Sequence, residues 1–164
     1  MPRTNIERLN DDARIWIFGI SPALDETRSA EVLAQVDQFL DQWASHGTPV
    51  TSARQLLFGT FLVVAVDQQS ETSGCSIDKM FGLLKHLESS LNVAILDSSR
   101  IFARDGHSEV HSYARPQFRE NGDPDTIVFD TLAERLGDVR NGGWEKRAAD
   151  SWHRQLLSPA AVQD

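Results

Sequence analysis

The sequence predicts an α+β fold with a β-α-β-β-α-β core. Three observations predict it. Apolar residues recur at helical spacing over Asp25–Ser45 and again over Cys75–Leu91. Short continuous apolar runs flank these segments, at Arg14–Ile20, Phe61–Val66 and Val93–Leu96. A Phe58-Gly59-Thr60 break separates Val50–Leu57 from Phe61–Val66 in the manner of a hairpin.

Each element follows from local chemistry. Met1–Asp12 is polar and charged and reads as a flexible N-terminal arm (1–12). Arg14–Ile20 is apolar almost throughout, as in a strand covered on both faces, and Ser21-Pro22 breaks it. The first helix takes Asp25 as its cap and presents Leu33, Val36, Leu40 and Trp43, widened by Val32 and Phe39. His46-Gly47 is its expected stop, with Pro49 beyond. Gly59-Thr60 suits a two-residue hairpin loop, and Asp67–Thr72 a polar loop. The second helix presents Ile77, Met80, Phe81, Leu84, Leu87 and Leu91.

Val93–Leu96 and Ile101–Ala103 predict a hairpin around Asp97–Arg100. Beyond Arg104 the pattern weakens. Thr126–Phe129 suggests a strand, Thr131–Leu136 a helix, Asn141-Gly142-Gly143 a break, and Trp144–Leu157 a terminal helix. The expected organisation is a single domain over 13–157 and a flexible tail over 158–164. The core order is the ferredoxin-like pattern. It implies one antiparallel sheet with two helices on one face, extended or covered by the later elements.

The net charge is −8 and the pI about 5.0. Phosphate-binding surfaces are basic, so nucleic acid is not an expected partner. No apolar run has membrane-spanning length, and Met1–Asp12 has no apolar leader segment. A single cysteine excludes an internal disulfide, and a reducing cytoplasm is the expected location.

Several segments together carry a resemblance: Arg14-x-Trp16, Phe39-x-x-x-Trp43-x-x-His46-Gly47, Phe61–Asp67, Ser73-Gly-Cys-Ser-Ile-Asp78, Asp125–Phe129 and Ser151-Trp152. The chain resembles a bacterial family of small proteins that often carries the label "ABC transporter ATPase". The resemblance runs from about Arg14 to Leu157 and is most specific at Ser73–Asp78. It implies a shared fold and no particular chemistry. The label itself conflicts with the residues. A phosphate loop needs Lys-Ser/Thr after its glycines, and Gly137-Asp-Val-Arg-Asn-Gly142-Gly143 lacks them.

The lone thiol, Cys75, is the sharpest candidate site. On a helical wheel it lies about 180° from Leu84, on the side of Lys79, Gly82 and His86, away from the core stripe. In a first helical turn the dipole and free amides favour a thiolate. Lys79 adds to that effect and Asp78 opposes it. Thr72 and Ser76 can orient the sulfur. The candidate catalytic set is therefore Cys75, Lys79 and Thr72. The same turn can hold a small anion, with Ser73, Gly74, Ser76, Asp78, His46 and Trp43 as the candidate ligand-binding set. A structural alternative stands beside both: a tight strand-to-helix turn with Gly74 for freedom and Ser73 or Ser76 as cap.

Comparisons with named thiol enzymes are weak. Thr72-x-x-Cys75 lacks the proline of peroxiredoxins, with Gln68 in its place, and phosphate-cleaving cysteine enzymes need an arginine where Phe81 stands. His107, Glu109 and His111 alternate as on one strand face, but so short a cluster reads as a polar hairpin edge, and no metal site is assigned. No cofactor is expected. The leading expectation is a binding or interaction module with a small-anion site at Ser73–Asp78, able to pair as a homodimer through a sheet face or edge. The alternative is a thiol enzyme or redox sensor built on Cys75.

Overall fold

Two antiparallel sheets and a helical layer stack in the computed structural model, which describes residues 2–162, the side chains of Ala161 and Val162 excepted. The class is α+β. The first sheet holds β1 (Arg14–Gly19), β4 (Ser52–Leu57) and β5 (Phe61–Val66) in the order β1-β5-β4. Helices α1 (Glu26–Gln42) and α2 (Gly74–Leu91) cover one face.

All of β5 is buried, because each of its faces meets a core. Leu62, Val64 and Val66 pack with Val36, Leu40, Met80 and Leu84 on the helical side. Phe61, Val63 and Ala65 pack with Phe102, Phe129, Leu136 and Trp144 on the other. This double burial explains why the strand reads as a continuous apolar run. The ring of Phe61 lies 4.9 Å from Phe129 and from Trp144, centroid to centroid.

The opposite layer is a second sheet, so the later elements cover the first sheet rather than extend it. Its strands are β6 (Ile101–Arg104), β7 (Val110–Tyr113), β8 (Ile127–Phe129) and β9 (Glu145–Arg147), ordered β7-β6-β8-β9. Short helices α3 (Arg115–Asn121) and α4 (Leu136–Arg140) interrupt it. The true hairpin joins β6 to β7, pairing Ile101 with Tyr113. Val93–Leu96 is not its other arm. That segment makes only a single bridge, Ala94 to Ser21, beyond the end of β1.

Other expectations are corrected in detail. Helix α1 stops at Gln42, short of Ser45, because a small hairpin begins at once. Its strands are β2 (Ala44–Ser45) and β3 (Thr48–Pro49), and His46 and Gly47 form the turn with φ of 51° and 79°. Positive φ at both central residues is the signature of a type I′ turn. The β4–β5 loop has three residues, Phe58–Thr60, not two, and Phe58 takes positive φ as well as Gly59. Thr131–Arg135 is not helical, and α4 begins only at Leu136. Trp144–Leu157 is no single helix but β9 followed by two 3-10 turns, Ala148–Asp150 and Trp152–Leu156. The second of these covers a small core of Phe118, Val128 and Leu157.

The segment expected as an arm lies along the β4 edge, from Pro2 onward, and Met1 is outside the described residues. Ser52 N donates to Pro2 O, and Thr4 N donates to Ser52 O at 2.7 Å. Arg3 pairs with Asp41 and Asp37, and Leu9 is 4% exposed. Arg54 grips Asp37 through two bonds, which hold its carboxyl below the usual carboxylate range. In the tail, Pro159–Val162 form one helical turn, and Gln163 and Asp164 lie outside the described residues.

Candidate functional site

The Ser73–Asp78 turn is the N-terminus of α2, and its polar groups bond to one another. Ser73 is the N-cap: its Oγ accepts from Ser76 N at 3.1 Å. Ser73 N donates to Ser76 Oγ at 2.8 Å, which completes a capping box. Ser76 Oγ also donates to Ser73 O. The Trp43 indole donates to Ser76 O at 2.9 Å, from a ring that is 2% exposed. Trp43 also packs against Phe39 and Trp16, so the core grips the first turn of α2.

These bonds sort the candidate residues. Ser73, Ser76 and Trp43 are brought together, and each is engaged in holding the turn. Cys75 is exposed, on the side that the helical wheel assigns it. Gly74, Asp78 and Lys79 are exposed beside it, and Thr72 is half-buried. The capping box leaves the amides of Gly74 and Cys75 as the free donors of the first turn. His46 stands exposed on the β2–β3 turn, and no hydrogen bond among the described residues ties it to α2.

The Asp105–His111 segment is the β6–β7 loop and the start of β7. Asp105 organises it: Oδ1 accepts from His107 N at 2.7 Å and Glu109 N at 3.0 Å, and Oδ2 bonds His111 Nε2 at 2.7 Å. The two backbone donors, with help from His111, hold its carboxyl below the usual range. Ligand atoms of Asp105, Glu109 and His111 lie within 4.8 Å of one another, but the Asp105 oxygens are already engaged. His107, the remaining member of the alternating set, is exposed in the loop.

A feature the sequence reading missed lies along β1. This strand is the edge of the first sheet. Its even-numbered residues bond to β5, and its odd-numbered residues turn their amides and carbonyls outward. Ile15 N donates to Glu134 O, and Ser21 exchanges two bonds with Ala94. Between these caps, the outward backbone groups of Ile17 and Gly19 have no backbone partner among the described residues. They floor a groove of about 740 Å³. Trp16, Phe81 and Leu96 form one wall, and Phe102, Trp152 and Leu156 the other. Leu132, 68% exposed, sits at the rim.

The groove carries three arginines outside any ion pair among the described residues, and the carboxylates of Asp97 and Glu134 also line it, with the charge of Arg100 favouring ionised Asp97. Arg14 lies over the Trp16 ring at 4.4 Å. Arg100 Nη2 donates to Ser112 Oγ at 2.9 Å, and Ser112 Oγ lies 2.7 Å from Ser21 Oγ. Its Nε is buried with no hydrogen-bond partner. Neither these two nor Arg115 forms an ion pair among the described residues. His153 is buried beneath the groove, stacked on Trp152 and bonded through Nδ1 to Ser151 Oγ at 2.7 Å. Burial pushes its pKa down to about 4.

Arg14-x-Trp16 and Ser151-Trp152, two of the segments that carry the resemblance, both border this groove. Arg100 and Arg115 reach it from two other parts of the chain.

No family model matches the chain, and neither does a curated protein or a solved structure. No helix among the described residues is long and apolar enough to cross a membrane.

Proposed function

We propose that the protein is a binding module whose ligand lies along the edge of β1. The observation that carries this reading is the gap at Ile17 and Gly19. An edge strand with unpaired backbone groups is a template for another chain, and folded proteins normally cover or blunt it. Pro2–Thr4 meets the β4 edge at Ser52, and β1 is capped at its two ends; the open stretch of β1 is set apart because it floors a groove walled by Trp16, Phe81, Phe102 and Trp152. A groove of this volume lies within the range of ligand clefts.

The gap follows from the reading of the first half as a ferredoxin-like unit. In that pattern the fourth strand lies beside the first. The order β1-β5-β4 with α1 and α2 on one face supports this, and so does the antiparallel bridge of Ala94 to Ser21. On this reading the fourth strand is reduced to one bridge, and the space it leaves is the groove. Amide hydrogen exchange tests the proposal. Ile17 and Gly19 should exchange far faster than Trp16 and Phe18, whose amides face β5. Equal protection at all four would sink the reading.

One observation favours a second reading, a thiol enzyme or sensor: Cys75 is exposed at the second position of an 18-residue helix. A small anion on the amides of Gly74 and Cys75 belongs to the same site. The rate of Cys75 alkylation against pH decides it. Titration well below the unperturbed value of about 8.5 supports the thiol reading, and titration at that value ends it.

A further inference from the structure

We propose that the occupant of the β1 edge is the C-terminal tail of a protein partner. It would add to β1 as a short parallel strand and place its terminal carboxylate between Arg100 and Arg115. This rests on the reading of the β1 edge as the ligand face, and it names the ligand.

The slot has the dimensions of a strand. From the Glu134 cap on Ile15 to the Ala94 cap on Ser21 is about 20 Å at ~3.3 Å per residue. The outward groups of Ile17 and Gly19 offer main-chain bonds that any peptide can make, as in β-augmentation. Alternate side chains of an added strand point to opposite sides. Here one side meets Trp16 and Phe81, and the other meets Phe102 and Trp152.

Charge sets the direction. Arg100 immediately precedes β6, and Arg115 begins α3 just after β7. Ile101 pairs with Tyr113, so both guanidiniums belong to one end of that hairpin. The bond chain Arg100–Ser112–Ser21 ties that end to the far end of β1. Ala94 already occupies the edge at Ser21, so an added chain cannot run on there. A chain end fits there, and the guanidiniums of Arg100 and Arg115, neither in an ion pair among the described residues, suit a terminal carboxylate, with Asp97 beside Arg100 offsetting part of that charge. A chain ending at the C-terminal end of β1 runs parallel to it.

A second copy fits less well. Its own β1 is recessed between the same walls. A two-fold pairing of edges would also bring Arg100 of one copy toward Arg14 of the other.

The test uses the full-length protein and a display library of random heptapeptides with free C-termini. The expected result is enrichment of sequences with alternating apolar residues. A synthetic peptide of the selected sequence should bind roughly 10-fold or more weakly when its C-terminus is amidated, or when Arg100→Gln is made, as for a lost charged hydrogen bond. Ile17→Pro should abolish binding. Proline is tolerated on an edge strand whose N–H faces outward, and here it removes only an outward donor. Ile17→Ala removes the side chain, keeps the amide and should retain binding. Equal binding of acid and amide would overturn the carboxylate assignment, and equal binding to Ile17→Pro would overturn strand addition. If no peptide is enriched while Ile17 and Gly19 exchange fast, the tail is overturned and the open edge stands. Protection of both amides that rises with protein concentration would mean a second copy, and would overturn the tail.

Discussion

The turn at Ser73–Asp78 and the groove along β1 are the two places where this chain concentrates unusual chemistry, and they are built in opposite ways. The turn satisfies itself. Ser73 and Ser76 bond each other, and Trp43 donates to the Ser76 carbonyl. The groove leaves groups unmet: the outward backbone of Ile17 and Gly19, a buried Arg100 Nε, and three guanidiniums outside any ion pair among the described residues. Buried or half-buried polar groups normally find partners. The hydroxyls of Ser45 and Ser52 are also buried without a partner, but in the groove the unmet groups face a concave apolar space, and that combination marks where a partner is missing, as a lone cysteine does not. The comparison predicts that damage to the turn lowers stability, whereas damage to the groove lowers binding.

The largest expected effect is at Trp43. Trp43→Ala empties a fully buried aromatic site and should cost about 3–5 kcal/mol, measured by denaturant unfolding. Trp43→Phe keeps one ring but loses the indole's bond to Ser76 O, an oxygen that the helix also bonds. Loss of that bond should cost about 0.5–1.5 kcal/mol, with the lost ring volume in addition. If Trp43→Phe were as stable as the parent yet bound ligand poorly, Trp43 would belong to a binding site and the contrast would fail.

Next comes His153, which lies under the groove. Burial holds its pKa at about 4, against 6.5 for the free side chain. Asp130 favours its charged form and Lys146 opposes it, but burial is the largest influence. Between pH 6.5 and 4 the unfolded chain takes up a proton that the folded chain refuses. The stability contributed is complete above pH 6.5 and declines as pH falls toward 4, by roughly 3 kcal/mol. Asp37 acts lower still, since its carboxyl is held below the usual range by Arg54. In urea melts against pH, His153→Gln should flatten the slope between pH 6.5 and 4. An unchanged slope would place the titration elsewhere.

The first half was legible because its signals are local. The stripes of α1 and α2, the Asp25 and Ser73 caps and the doubly buried run of β5 depend on neighbours in sequence. The second half defeated the same reading. Its strands are three or four residues long, too short for a period to register. Val93–Leu96 is apolar because Val93 and Ile95 fill the helical core, not because it pairs as a strand. The groove was illegible for a different reason. An edge is defined by a strand that is absent, and no residue type encodes that. Arg100, Arg115 and His153 converge on it from segments that show no shared motif.

Two smaller effects sharpen the turn's side of the comparison. Ser73→Ala removes the N-cap and half of the capping box. It should cost about 1 kcal/mol and leave peptide binding unchanged. Cys75→Ser is the smallest. The side chain is exposed, and its neighbours Ser73 and Ser76 are bonded to each other rather than to the sulfur. Stability should change by less than about 0.5 kcal/mol, as at other exposed positions without a structural role. The selected peptide should bind the Cys75→Ser protein with the parent's affinity, because the sulfur lies on the solvent side of α2 and does not line the groove. A bulky alkyl group on Cys75 is the harsher version of the same test. If alkylation of the parent weakened peptide binding and Cys75→Ser did not, the first turn of α2 would be acting on the groove through Trp43 and Trp16, whose rings meet at 6.3 Å. The two regions would then be one coupled device, and the contrast between a closed turn and an open edge would have to be given up.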